Sequence, residues 1–177
     1  MNNTKKIRSM TAAAVIAALY VALTYSQNVI FPGSTSMAVQ FRVSEALCVL
    51  ALFTPSAIPG LTVGCVLANV VSLGALPVDM VLGSLASFLA ACFMYKTRNI
   101  TFKGIPLLSL MMPAIFNGLI IGAEIEVFFI DGPFRFPSFL IQAGLVALGE
   151  IGVLYTLGLL LVKIIKNKKI EKYLKTV

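Results

Sequence analysis

Apolar residues follow one another in runs close to the length that crosses a bilayer, and short polar stretches separate the runs. A spanning helix needs about 20 apolar residues for the ~30 Å hydrocarbon core. Read on that scale, the pattern predicts six helices, at residues 10–29, 42–53, 59–73, 78–95, 104–127 and 137–165. The second is short, and the third follows it after one tight turn. Nothing in the pattern divides the chain, so residues 1–177 are expected to form one domain. The outer loop at 28–41 carries Pro32 and Gly33 and exceeds a minimal connection. A loop of that length can serve as a lid or simply as a surface connection.

Composition removes the soluble alternatives. Hydrophobic residues make up 59% and charged residues 12%, against about half and about a quarter in an ordinary soluble domain. Disorder, a coiled coil and a disulfide scaffold are excluded by the same figures, which leaves an all-α integral membrane protein. The chain has no His and no Trp. A histidine base, a catalytic triad or a histidine metal site therefore cannot be built on it. Cys48, Cys65 and Cys92 stand alone in apolar runs, without a CxxC pair, and read as small buried hydrophobes. No GxxxxGK[ST] phosphate loop occurs. No catalytic residue, metal or cofactor is expected, and the chain does not read as an enzyme.

The net charge is +7, and its placement matters more than its size. Lys5, Lys6 and Arg8 precede the first span. Lys96, Arg98 and Lys103 lie between the fourth and fifth. Lys163, Lys166, Lys168, Lys169, Lys172 and Lys175 close the sequence. With six spans, alternation places all three clusters on one side. The positive-inside rule makes that side cytoplasmic, with both termini there. Such flanks bind anionic lipid and set orientation, so nucleic acid is not a partner. The first run lacks a small-residue cleavage site and reads as a retained helix rather than a signal peptide.

Polar groups inside apolar spans are costly and therefore candidates for function. Arg42 and Glu45, three apart, share a helix face and could simply pair with each other. Asp79 follows Pro77 and could cap its helix. Asn69 and Asn117 lie within spans, where they could join helices or meet a ligand. Glu124 and Glu126 are two apart and point in different directions, so at most one is expected at the bundle centre, with Glu124 favoured. Gln142 and Glu150 share a face two turns apart. Acids, amides and one guanidinium suit a small, flat, nitrogen-rich solute. Tyr25, Phe31, Phe116, Phe128 and Phe134 could stack on its ring, or face lipid. Ala14, Ala18 and Ala22 recur every four residues as a smooth stripe for another helix, inside or outside the chain. Gly60 with Gly64, and Gly118 with Gly122, carry the same signal. Glu150 at mid-span would also suit a proton-coupled carrier working alone.

The run QFRVSEAL at residues 40–47, GLTVGCVLANVVS, PVDMVLGS and NGLIIGAEI resemble the QueT family of substrate-binding S components of energy-coupling factor (ECF) transporters. The resemblance covers nearly the whole chain. It implies a six-helix bundle with both ends inside, and capture of a queuosine precursor, a deazaguanine-type base, at the outer face. It also implies an ECF module of a transmembrane T subunit and two ATPases, with Ala14, Ala18 and Ala22 as the surface that meets the T subunit. The loop after the first helix resembles that superfamily's gate. Gln40, Arg42, Glu45, Asn69, Asp79, Asn117, Glu124, Gln142 and Glu150 are the candidate substrate contacts.

Overall fold

The computed structural model describes residues 3–34, 41–72, 76–167 and 170–174. Gln40 and most of the expected lid loop lie outside the described residues. Helix α1, Asn3–Ile30, starts well before the apolar run because Lys5, Lys6 and Arg8 are tolerated in a helix that projects beyond hydrocarbon. A 3-10 helix follows at Val43–Leu52, then α2 at Ala57–Val71, α3 at Pro77–Thr97 and α4 at Leu107–Phe128. Helix α5, Phe136–Val153, passes through a π-helical turn at Leu154–Gly158 into α6, Leu159–Asn167. A short α7, Ile170–Leu174, comes last. No strand occurs among the described residues.

Among the described residues, the length criterion for crossing a membrane is met by four elements: α1, α3, α4 and the continuous rod from Phe136 to Lys166. Length alone thus singles out four of the six predicted spans. The other two predicted spans are the 3-10 helix and α2, which are shorter apolar helices. At ~2.0 Å per residue in a 3-10 helix and ~1.5 Å in an α-helix, each covers roughly 20 Å, less than the hydrocarbon core. The 3-10 helix compensates by burial. Eight of its ten residues are buried, and it touches each of α1 to α6. It is the axis of the bundle, and α1, α2, α3, α4 and α5 pack around it in sequence order.

The 3-10 geometry has a direct effect on side chains. Glu45 N–H donates to the Arg42 carbonyl at 3.0 Å, and Phe53 N–H to the Leu50 carbonyl at 3.0 Å. Three residues per turn stack every third residue in one row. Glu45 and Cys48 are therefore neighbours, and the Cys48 thiol donates to Glu45 Oε2 at 3.0 Å.

Close packing uses the small residues in two different ways. A Cβ at Gly64 would lie 2.8 Å from Tyr20 Cβ and 3.1 Å from Ala17 Cα, so Gly60 and Gly64 seat α2 directly on α1. Gly118 and Gly122 seat α4 on Ala143 and Ala147 of α5 in the same manner. Ala17 belongs to that buried face of α1, whereas Ala14, Ala18 and Ala22 are exposed on the other side. Among the described elements, helix α1 contacts α2 and the 3-10 helix. Its alanine stripe faces outward from both.

Charge is sorted along the bundle. Ser9 Oγ lies 2.8 Å from Ser56 Oγ, which brings the start of α1 to the turn before α2. Lys166 Nζ donates to the Gly104 carbonyl at 3.3 Å, joining α6 to the α3–α4 turn. Arg98 stacks on Tyr95 at 3.7 Å in that same region. The basic clusters thus share one end, and Asp79, Glu124 and Glu126 lie at the other.

Candidate ligand site at the acidic end

Helices α1 to α5 surround the axial 3-10 helix that carries Arg42 and Glu45. Arg42 is its N-cap residue, with extended backbone. The pairing of Arg42 with Glu45 that their spacing allowed does not form. Tyr20 Oη donates to Glu45 Oε1 and Cys48 takes Oε2, so both Glu45 oxygens are occupied by α1 and by the 3-10 helix itself. The Arg42 Nε is buried with no hydrogen-bond partner. The guanidinium interacts electrostatically with Tyr20, Cys65 and Glu45, and it is felt also at Glu124 and Glu150.

Asn117 Nδ2 donates to Glu150 Oε1 at 2.7 Å, joining α4 to α5. The second Glu150 oxygen is buried and has no partner. Glu124, two turns above Asn117 on α4, lies beside Asp79 of α3, and its Oε1 is likewise buried and unpartnered. Asp79 Oδ2 accepts the Leu76 N–H at 2.6 Å, so this residue does cap α3. Asn69 Nδ2 donates to the Asp79 carbonyl at 2.9 Å and fixes the end of α2 to the start of α3. Gln142 is half-buried on the α5 face that carries Val146 and Glu150. A polar atom buried without a partner costs about 1–3 kcal/mol. Four such atoms occur among the described residues, Arg42 Nε, Glu124 Oε1, Glu126 Oε2 and Glu150 Oε2, one donor and three acceptors.

Two expectations change. Glu124 and Glu126 are both buried, each at 2% relative exposure, whereas at most one was expected at the centre. They serve different neighbours. Glu126 Oε1 accepts the Arg135 N–H at 3.0 Å, the first free donor of α5, with Arg135 Nε 4.0 Å away. The aromatic residues offered for stacking do not gather at the cluster. Tyr25, Phe31, Phe128 and Phe134 are exposed, and Phe116 packs on Phe93 at a ring separation of 4.9 Å. The aromatic ring at the cluster is Tyr20, fully buried on α1. Thr24 and Gln27 follow it on the same buried face. Sequence reasoning missed all three, although spacings of four and three residues mark one side of a helix. Beside them, a groove of about 510 Å³ is lined by Gln27, Ile30, Phe31, Pro32, Ser34, Phe41 and Val43.

Comparison with known proteins matches the sequence to a transport family. A family model described as QueT transporter matches residues 10–167. A curated relative, the queuosine precursor transporter QueT of Lactococcus lactis subsp. cremoris (strain MG1363), is 35% identical over 85 residues. That stretch spans 46% of this chain and 46% of the relative, under half of each. No solved structure matches.

Proposed function

The chain belongs to the QueT transporter family, and from that premise we propose that it is the substrate-binding S component of an ECF-type transporter. It captures a queuosine precursor at the outer face of the plasma membrane. A partner T subunit and two ATPases then drive uptake. The chain lies in the bilayer as six membrane-embedded segments, with both termini and the basic end in the cytoplasm against anionic lipid. The short 3-10 helix is enclosed by the longer helices, whereas α2 keeps an outward face at Val63, Leu67, Val70 and Val71.

The observation that carries this reading is the set of buried, unpartnered atoms on Arg42, Glu124 and Glu150. A deazaguanine-type base offers N–H donors along one edge and a carbonyl beside them. In this reading Glu124 and Glu150 accept from the N–H edge and Arg42 donates to the carbonyl. Asp79, beside Glu124, adds negative charge for an aminomethyl substituent. Asn117 and Gln142 border the base. Asn69 and Glu45 hold Asp79 and Tyr20 in place, and Gln40 is a further contact proposed from its motif. Ala14, Ala18 and Ala22, exposed on α1, form the surface for the T subunit.

The test is thermal stabilisation and equilibrium binding of purified protein with queuosine precursors. Stabilisation at micromolar ligand, lost on replacing Glu124, Asn117 or Arg42 by Ala, is the expected result. No stabilisation of the wild-type protein overturns the substrate assignment. The buried, half-satisfied Glu150 favours one rival, a proton-coupled carrier that works alone. Uptake by cells lacking the shared ATPase module would decide for that rival.

A further inference from the structure

Arg42 sits in a segment that α1 holds residue by residue. The buried face of α1 changes character along its length. Ile16 and Ala17 are apolar, and Tyr20, Thr24 and Gln27 are polar. Each of the three polar residues bonds to the segment 41–45. Tyr20 reaches Glu45, and Thr24 Oγ1 donates to Ser44 Oγ at 2.8 Å. Gln27 makes the most specific contact. Its Nε2 donates to the Phe41 carbonyl, and its Oε1 accepts the Val43 N–H at 2.7 Å. These are the two peptide groups on either side of Arg42. The Gln27 amide stands where a neighbouring strand would otherwise supply one donor and one acceptor. Only an amide side chain offers both in one plane at that reach. A second donation to Ser34 Oγ at 2.9 Å fixes its orientation.

We propose that Gln27 is a positioning residue for the ligand site: its amide clasps the backbone flanking Arg42 and thereby fixes where the guanidinium stands in the polar cluster. The clasp rests on the reading of that cluster as the substrate site. Thr24 and Tyr20 repeat the arrangement for Ser44 and Glu45, so α1 and the ligand-facing segment act as one unit. The proposal predicts that Gln27 matters for affinity only through Arg42.

A double-mutant cycle on the full chain tests this. Binding of an aminomethyl-deazaguanine probe is measured for wild type, Gln27→Met, Arg42→Ala and the double variant. Losing two hydrogen bonds that hold Arg42 should raise Kd about 10-fold in Q27M. The double variant should match R42A within a factor of two, because a group already removed cannot be misaimed. Wild-type affinity in Q27M, or losses that multiply in the double variant, would overturn the clasp. Gln27→Glu, which keeps the Val43 acceptor and loses the Phe41 donor, is the second variant should Q27M not fold; an intermediate loss is expected. A ligand-free readout separates this proposal from the substrate assignment. Hydrogen exchange at the Val43 amide should quicken several-fold in Q27M while α2–α3 amides stay unchanged. If it does not quicken, the clasp is refuted whatever the protein binds. If the wild type does not bind the probe but exchange does quicken, the substrate reading fails and the clasp stands.

Discussion

Glu150 is held by one oxygen and free at the other, which makes it the sharpest single-residue probe of the cluster. Replacement by Gln leaves an oxygen to accept from Asn117 and removes only the charge. The ligand-free Glu150→Gln protein should melt at or above the wild-type temperature, because a buried charge with incomplete partners is a cost. Its affinity for the precursor should fall about 10-fold or more, since charge-assisted hydrogen bonds are roughly twice as strong as neutral ones. Wild-type affinity in this variant would remove Glu150 from the site. Asn117→Ala should instead destabilise the protein by about 1–3 kcal/mol in thermal unfolding, because it strands the remaining Glu150 oxygen. The members of the polar cluster were largely legible in the sequence, because a charge in an apolar run stands out. Their partners were not. That Glu45 is saturated by Tyr20 and Cys48, or that Glu126 serves the first amide of α5, depends on which helices meet. Hydroxyls and amides such as Thr24 and Gln27 barely interrupt an apolar run, so they passed as filler.

Element positions were legible for a similar reason, since apolar runs of bilayer length admit few other readings. Element type was not. Over ten almost wholly apolar residues, a period of 3.0 cannot be told from 3.6, so the axial 3-10 helix and the π turn left no mark on the pattern. Their geometry is set by the neighbours that enclose them. The paired glycines were visible as motifs, yet their partners became clear only in the packed bundle. Two glycines separate packing from propensity. A Cβ at Gly122 would lie 2.7 Å from Ala143 Cα, whereas one at Gly144 meets nothing within 4 Å. Gly122→Ala should destabilise the α4–α5 contact by about 1–3 kcal/mol. Gly144→Ala should be neutral or stabilising by up to ~1 kcal/mol, from helix propensity alone. Thermal unfolding of both variants in one detergent provides the comparison, and equal midpoints would contradict the packing described for α4 on α5.

The whole molecule has a basic end, an acidic end and one flank, α1, that is unlike the rest. With Ala18 exposed on that flank, Ala18→Trp should leave precursor binding within a factor of two of wild type. If the chain works as the proposed S component, the substitution should also reduce ATP-driven uptake to background, because bulk on the stripe would block close approach of a T subunit. Lost binding in the purified variant would instead return the stripe to internal packing. The sorting of charge between the two ends could be read from sequence order, since alternation of spans is simple arithmetic. That α1 has only two neighbours among the described elements could not, because exposure of a flank is a property of the assembled ring. One consequence of that flank concerns thickness. Ala14, Ala18 and Ala22 face almost directly away from Tyr20, Thr24 and Gln27, at about 100° of rotation per residue. With methyl groups on one side, almost nothing stands between the outer surface and the polar stitching except a backbone cylinder about 4.6 Å across at its Cα atoms. A load applied to the smooth side therefore has no pliant side chains in which to dissipate, and reaches the residues around Arg42 through a single rigid slat.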